Sequence, residues 1–146
     1  MSDKVSGSKR TAPETLKMRF ALANVNTAPT TTGRRDFFVY RDLGVSKASN
    51  GRMSAEAMTF IKGKVPLTGW HYHVCESQLC YVIKGSIDLE FEDGVKRRMS
   101  AGDVFFIPGG MKHSETALSD DYAYMEIAVP ANLGTVACDQ PEGFKN

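Results

Sequence analysis

Histidine occurs at three positions of this 146-residue chain: 71, 73 and 113. His71 and His73 stand at i and i+2. On a β-strand that spacing sends both imidazoles to the same face, whereas on a helix it turns them apart. Two imidazoles side by side are two arms of a chelate for a divalent metal. A His-X-His pair can also be an exposed polar face, so the pair alone leaves both readings open. The third histidine ends the stretch Gly102-Asp103-Val104-Phe105-Phe106-Ile107-Pro108-Gly109-Gly110-Met111-Lys112-His113. There, glycines and a proline set a turn that delivers His113 onto the strand after it. Gln78 follows His73 by five residues, with Glu76 between them. Strict alternation from the histidines favours neither residue, but a loop within the stretch would reset the count. Both stay open as an oxygen ligand, with Gln78 preferred.

Such a site needs strands to aim it. From Asp36 onward, apolar runs are short, β-branched and aromatic residues recur, and Gly or Pro interrupts every 8–12 residues. That texture belongs to an all-β sandwich or barrel. The pattern predicts strands near Phe37–Arg41, Ala55–Lys62, Gly69–Val74, Leu79–Lys84, Ser86–Glu92, Val95–Met99, Val104–Ile107, Lys112–Ala117 and Tyr122–Val129. Glu92-Asp93-Gly94-Val95 carries the Asp-Gly pair of a two-residue type I′ hairpin. Residues 1–35 read as a polar, partly ordered arm, with residues 16–25 as a helical turn or edge strand. Residues 36–130 form the barrel, and residues 131–146 a loop-like tail.

Together these residues resemble the two motifs of the cupin superfamily, small β-barrel proteins with a metal in the barrel mouth. The first motif, Gly-X5-His-X-His-X3–4-Glu-X6-Gly, is matched by His71, His73, Gln78 and Gly85. The second, Gly-X5-Pro-X-Gly-X2-His-X3-Asn, is matched by Gly102, Pro108, Gly110 and His113. The resemblance spans residues 55–130 and implies a cupin-type double-stranded β-helix, or jelly-roll, barrel. It also implies one divalent transition metal (Fe, Mn, Zn, Ni or Cu) on His71, His73, Gln78 and His113. Val65 and Ala117 depart from the motifs at positions that are not ligands. Gln78 stands where the acidic ligand belongs. A neutral amide leaves the metal's charge uncompensated, which strengthens it as a Lewis acid toward an anionic or enolate-like substrate.

Some similar cupins use three His and one Gln, and one such group rearranges unsaturated uronates. In that group an acidic residue four positions before a strand-ending proline works as acid or base; Glu126, four before Pro130, matches it. The group's nearby aromatic and arginine are Ala128 and Asn132 here, so its substrate contacts do not carry over. Tyr122, Tyr124 and Glu126 share one strand face. Glu126 is therefore read either as a general acid/base or as a carboxylate facing solvent or paired with a cation. Cys80 shares the face of Gln78 as a small hydrophobe. Lys96-Arg97-Arg98 reads as a solvated edge.

The chain carries 18 Lys+Arg and 17 Asp+Glu, a net charge of +1, which argues against nucleic acid as the main partner. No apolar run reaches membrane-spanning length, and Met1–Arg10 has no secretory h-region behind it. Three cysteines without repeated spacing suggest reduced thiols in the cytoplasm. The leading expectation is a mononuclear-metal enzyme of dioxygenase type acting on a small oxygen-rich molecule. The alternatives are a metal-dependent isomerase or lyase of a sugar acid or keto-enol compound, and a non-catalytic small-ligand-binding cupin. A homodimer is expected because Phe37–Arg41 reads as an exposed edge that invites pairing.

Overall fold

The computed structural model describes residues 17–142 and Phe144. All nine predicted strands are present: β2 (Phe38–Asp42), β3 (Ser54–Phe60), β4 (His71–Val74), β5 (Ser77–Lys84), β6 (Ser86–Phe91), β7 (Lys96–Ser100), β8 (Val104–Pro108), β9 (His113–Leu118) and β10 (Ala123–Val129). Two further strands, β1 (Thr30–Thr32) and β11 (Gly134–Ala137), lie in the stretches read as arm and tail. Neither has an apolar pattern. Each exists because it pairs with the edge of a stronger strand, β1 with β2 and β11 with β4. One helical turn, α1 (Val45–Ala48), precedes β3.

The strands form two antiparallel sheets, ordered β1-β2-β3-β10-β5-β8 and β11-β4-β9-β6-β7. The faces between them hold the core. Phe38, Met58, Val82, Leu89, Ile107 and Tyr122 are all buried there. Alternation is clean on β6 and β10, where every second residue is buried. This is the jelly-roll barrel expected.

Local readings are refined in three places. The β6–β7 connection is longer than a two-residue type I′ loop. Gly94 N–H donates to Phe91 O, and only Gly94 takes positive φ, whereas type I′ needs it at both central residues. Residues 17–24 form neither helix nor strand; residues 1–16 lie outside the described residues. Phe37–Arg41 is not an edge, because β1 lies outside β2. Exposed apolar side chains instead occupy the outer face of β5 and β8: Leu79, Tyr81, Ile83, Val104 and Phe106. As anticipated, β7 is an edge whose cations face water, with Arg98 paired to Asp88 and Arg97 to Asp93.

Candidate metal centre

The histidines reach one point because two loops are laced together. The turn after β8 crosses the turn between β4 and β5, and Gly110 N–H donates to His73 O at 2.9 Å. Gly109 sits so near that a Cβ would lie 1.7 Å from the Cys75 carbonyl oxygen, so only glycine fits. Gly110 itself has φ +81°. His113 thereby emerges directly opposite His71 in the β4–β9 register.

His71, His73 and His113 are buried, and their candidate ligand atoms all lie within 4.8 Å of one another. Ring centroids are 4.4 Å apart for His71–His113, 5.1 Å for His73–His113 and 5.2 Å for His71–His73. His71 Nδ1 lies 2.9 Å from Gly69 O, and His113 Nδ1 lies 2.9 Å from Met111 O. A carbonyl only accepts, so each Nδ1 carries the proton and each Nε2 keeps its lone pair. His73 Nδ1 meets Thr135 Oγ1 at 3.1 Å. Burial pushes His71 down to about 4 and His73 down to about 3, and lowers His113 as well. All three imidazoles are neutral near pH 7, the form that ligates a metal.

The bend at Cys75–Glu76 resets the alternation. Gln78 therefore falls on the buried side, 4% exposed, while Glu76 stands exposed in the turn. Gln78 Nε2 donates to Glu126 Oε2 at 2.5 Å. A carboxylate next to the amide fixes which end is nitrogen. Gln78 Oε1 is shielded from water and has no hydrogen-bond partner among the described residues, on the wall of an inner cavity that it shares with His113. Three neutral imidazoles, two of them with the Nε2 lone pair free, and one orphaned amide oxygen form a donor set that suits a divalent metal.

Glu126 is buried and faces the interior, and it is also ion-paired: Arg34 Nη2 donates to its Oε1 at 2.6 Å. Of the outcomes open from sequence, the structure contains the pairing with a cation and not exposure to solvent. Sequence alone did not point to Arg34, because the contact spans 92 positions and no local pattern records it. Glu115 was findable, standing two residues after His113 on the same strand. Its Oε2 is shielded and has no hydrogen-bond partner among the described residues, and burial raises its carboxyl to about 7 against the lowering influence of Arg35. Tyr122 Oη likewise has no partner among the described residues, and Tyr122 borders the same cavity as Gln78 and Glu115. Cys80 lines that cavity too, and burial pushes its thiol up. Ala128 is fully buried beside Gln78, and Asn132 lines an open cavity next to Arg34 and Glu126.

A two-sheet jelly roll with a cluster of buried histidines at one end defines a class of barrel with a polar mouth. Residues 58–129 match the family model for the cupin domain, and the chain belongs to the cupin superfamily. Solved structures agree on the fold. KdgF from Halomonas sp. is 22% identical, with a TM-score of 0.61 over 78% of this chain and 96% of that one. The polyketide cyclase RemF from Streptomyces resistomycificus is 18% identical, with a TM-score of 0.63 over 84% and 89%. An RmlC-like cupin from Shewanella frigidimarina is 20% identical, with a TM-score of 0.59 over 80% and 96%. No curated protein matches the chain.

Proposed function

We propose that the protein is a mononuclear-metal enzyme that acts on a small, oxygen-rich, enolisable molecule by Lewis-acid and proton-transfer chemistry, as an isomerase, cyclase or lyase. The observation that carries this reading is the orphaned Gln78 Oε1 on a cavity wall shared with His113, together with the cluster of three neutral imidazoles to which His113 belongs. His71, His73, His113 and Gln78 would hold the ion. Bound there, a divalent metal supplies polarisation of a substrate oxygen, undiminished by any protein carboxylate among its ligands. Glu126 is the group assigned to take or return the substrate proton. Its Oε2 stays with Gln78, while Oε1 has a second lone pair beyond the one that Arg34 occupies. An open cavity lined by Arg34, Ser54, Glu56 and Glu126 gives a route to that oxygen. RemF is a cyclase by name, which accords with this reading.

Dioxygenase chemistry is the second reading. Three imidazoles and one neutral oxygen leave positions for O2 and a bidentate substrate. The acid/base carboxylate beside the site favours the first reading, since oxygen insertion does not require it. The test is metal analysis of the purified protein, followed by assays on small keto-acids and unsaturated sugar acids with an oxygen electrode in line. We expect one metal per chain, turnover abolished by chelation, and no oxygen uptake. Oxygen consumed in step with substrate would establish the second reading. A chain that takes up no metal would leave a ligand-binding cupin.

No helix among the described residues is long and apolar enough to cross a membrane. We propose a cytoplasmic homodimer in which a second copy covers Leu79, Tyr81, Ile83, Val104 and Phe106, the apolar outer face of β5 and β8. Sedimentation checks this: Phe106→Lys should yield monomer from a wild-type dimer.

A further inference from the structure

Two ligand arms of the proposed metal centre converge on one side chain supplied from outside the motif-bearing strands. Arg34 follows β1, in the segment that read as an arm. Its Nη2 holds Glu126 Oε1 at 2.6 Å, and Glu126 Oε2 accepts Gln78 Nε2 at 2.5 Å. Its Nη1 reaches Thr135 Oγ1 at 3.4 Å, and Thr135 meets His73 Nδ1 at 3.1 Å. Thr135 is the register partner of His73 across β11 and β4. The guanidinium's planar fork lets one side chain address both arms at once.

We infer that Arg34 is a positioning residue. Through Glu126 it fixes the Gln78 amide with nitrogen spent and oxygen free, and through Thr135 it steadies His73. The inference rests on the metal-centre reading above. Without Arg34, Glu126 is a buried carboxylate with no paired cation among the described residues, free to turn from Gln78, and the amide loses the bond that sets its orientation. Glu56 stands opposite Glu126 in the β3–β10 register, so the loss of the one cation paired with Glu126 among the described residues leaves two carboxylates facing each other. The segment before β2 is therefore part of the site, although it contributes no ligand.

Co2+ titration by calorimetry and visible absorption tests this on the full chain, with wild type, Arg34→Ala, Arg34→Lys and Thr135→Val. Wild type should bind one Co2+. Arg34→Ala should bind it about 10–100-fold more weakly, the range seen when a ligand's hydrogen-bond partner is lost, with altered d–d bands. Arg34→Lys restores a cation for Glu126 but not the fork, so it should recover most of the affinity and the wild-type bands. Thr135→Val, at an exposed position, should weaken binding to the low end of that range. If Arg34→Ala does not fold, the Lys and Val variants still carry the test. Wild-type affinity and spectrum in Arg34→Ala, or in both remaining variants, overturn the inference. Failure of wild type to bind Co2+ overturns the metal reading and the inference with it.

Discussion

Along β2, β3, β5 and β10 of the larger sheet, the side chains of inward parity change character between the mouth of the barrel and its floor. On β2 the series from mouth to floor is Asp42, Tyr40, Phe38; on β3 it is Glu56, Met58, Phe60. On β5 it is Gln78, Cys80, Val82, and on the β10 segment it is Glu126, Tyr124, Tyr122. The same period-2 register serves both ends. At the floor it stacks aromatic rings, with Tyr122 and Tyr124 at 5.1 Å and Phe38 against Tyr124 at 5.5 Å. At the mouth it aligns carboxylates and an amide beside three imidazoles. Strand pairing built for packing thus also sets the spacing of the polar groups. The floor supplies stability, and the mouth uses it to hold groups whose burial is costly.

That division gives the largest expected contrast. Tyr122 is fully buried, so Tyr122→Ala should cost about 3–5 kcal/mol of unfolding free energy, by the measure of large-to-small core substitutions. Where it still folds, it should leave metal affinity near wild type. His113→Ala should do the reverse. Metal binding should fall by more than the roughly 10–100-fold that loss of a hydrogen-bond partner costs a ligand, while urea stability of the apo protein holds or rises. Urea titration and calorimetry on both variants measure this. Equal damage to both properties in both variants would erase the distinction between floor and mouth.

Acid should expose the cost of the mouth. His71 titrates at about 4 and His73 at about 3 when folded, against 6.5 for a free imidazole. Below pH 6.5 the unfolded chain binds protons that the native barrel refuses. Native stability therefore falls as pH drops from 6.5 toward 4, by about 3 kcal/mol for His71 alone if the full shift is expressed. Because His71 and His73 are already neutral, neither should make metal affinity fall between pH 8 and about 5. Urea midpoints of the apo protein at pH 7, 5.5 and 4.5 check the first claim, and calorimetry in the same buffers checks the second. A stability that stays flat from pH 7 to 4.5 would place His71 and His73 in water.

Much of the fold was legible because its cause is local. Short apolar runs between glycines and prolines mark the nine strands of the barrel, and the motif glycines mark the turns that need them. Three histidines on two strands were legible as a cluster for the same reason: strand parity is a property of neighbouring residues. What escaped depends on partners far along the chain. Thr30–Thr32 and Gly134–Ala137 have no strand pattern and become strands by completing an edge. Arg34 reads as one more charge in a polar stretch, and only the closed barrel brings it to Glu126. Gln78 lay between these cases. Its residue type was informative, but its face depended on a bend that alternation cannot foresee.

Glu115 offers a smaller test of the mouth's polarity gradient. Its carboxyl rises from 4.5 to about 7 because burial disfavours the charge. Between those values the native state holds a proton that the unfolded chain has released, so this group's contribution declines as pH rises from 4.5 through 7. Glu115→Gln removes the ionisation and keeps the shape. It should stabilise the apo protein by about 1–3 kcal/mol at pH 8 and by almost nothing at pH 4.5. An unchanged difference across that range would mean that water reaches the carboxyl.

The smallest expected effect separates charge from arrangement at the mouth. On charge alone, Gln78→Glu should bind metal more tightly, because a carboxylate adds negative charge at the same reach. Glu126 opposes this. Its Oε2 now accepts from Gln78 Nε2 at 2.5 Å, and a glutamate at 78 has no proton to give unless the two carboxyls share one. The gain should therefore be small in the single variant. Gln78→Glu with Glu126→Gln exchanges the roles. The amide at 126 donates, the carboxylate at 78 accepts with one oxygen and keeps the other for the ion, and Arg34 still finds an amide oxygen. The double variant should bind Mn2+ or Zn2+ about tenfold more tightly than wild type, a difference of ~1.4 kcal/mol, whereas Gln78→Ala should bind a few-fold more weakly. Any catalysis that depends on an uncompensated metal charge should be slower in the double variant despite its tighter binding. Calorimetric titration of the four apo proteins decides. Equal affinities throughout would take Gln78 out of the site and leave the metal to the histidines alone.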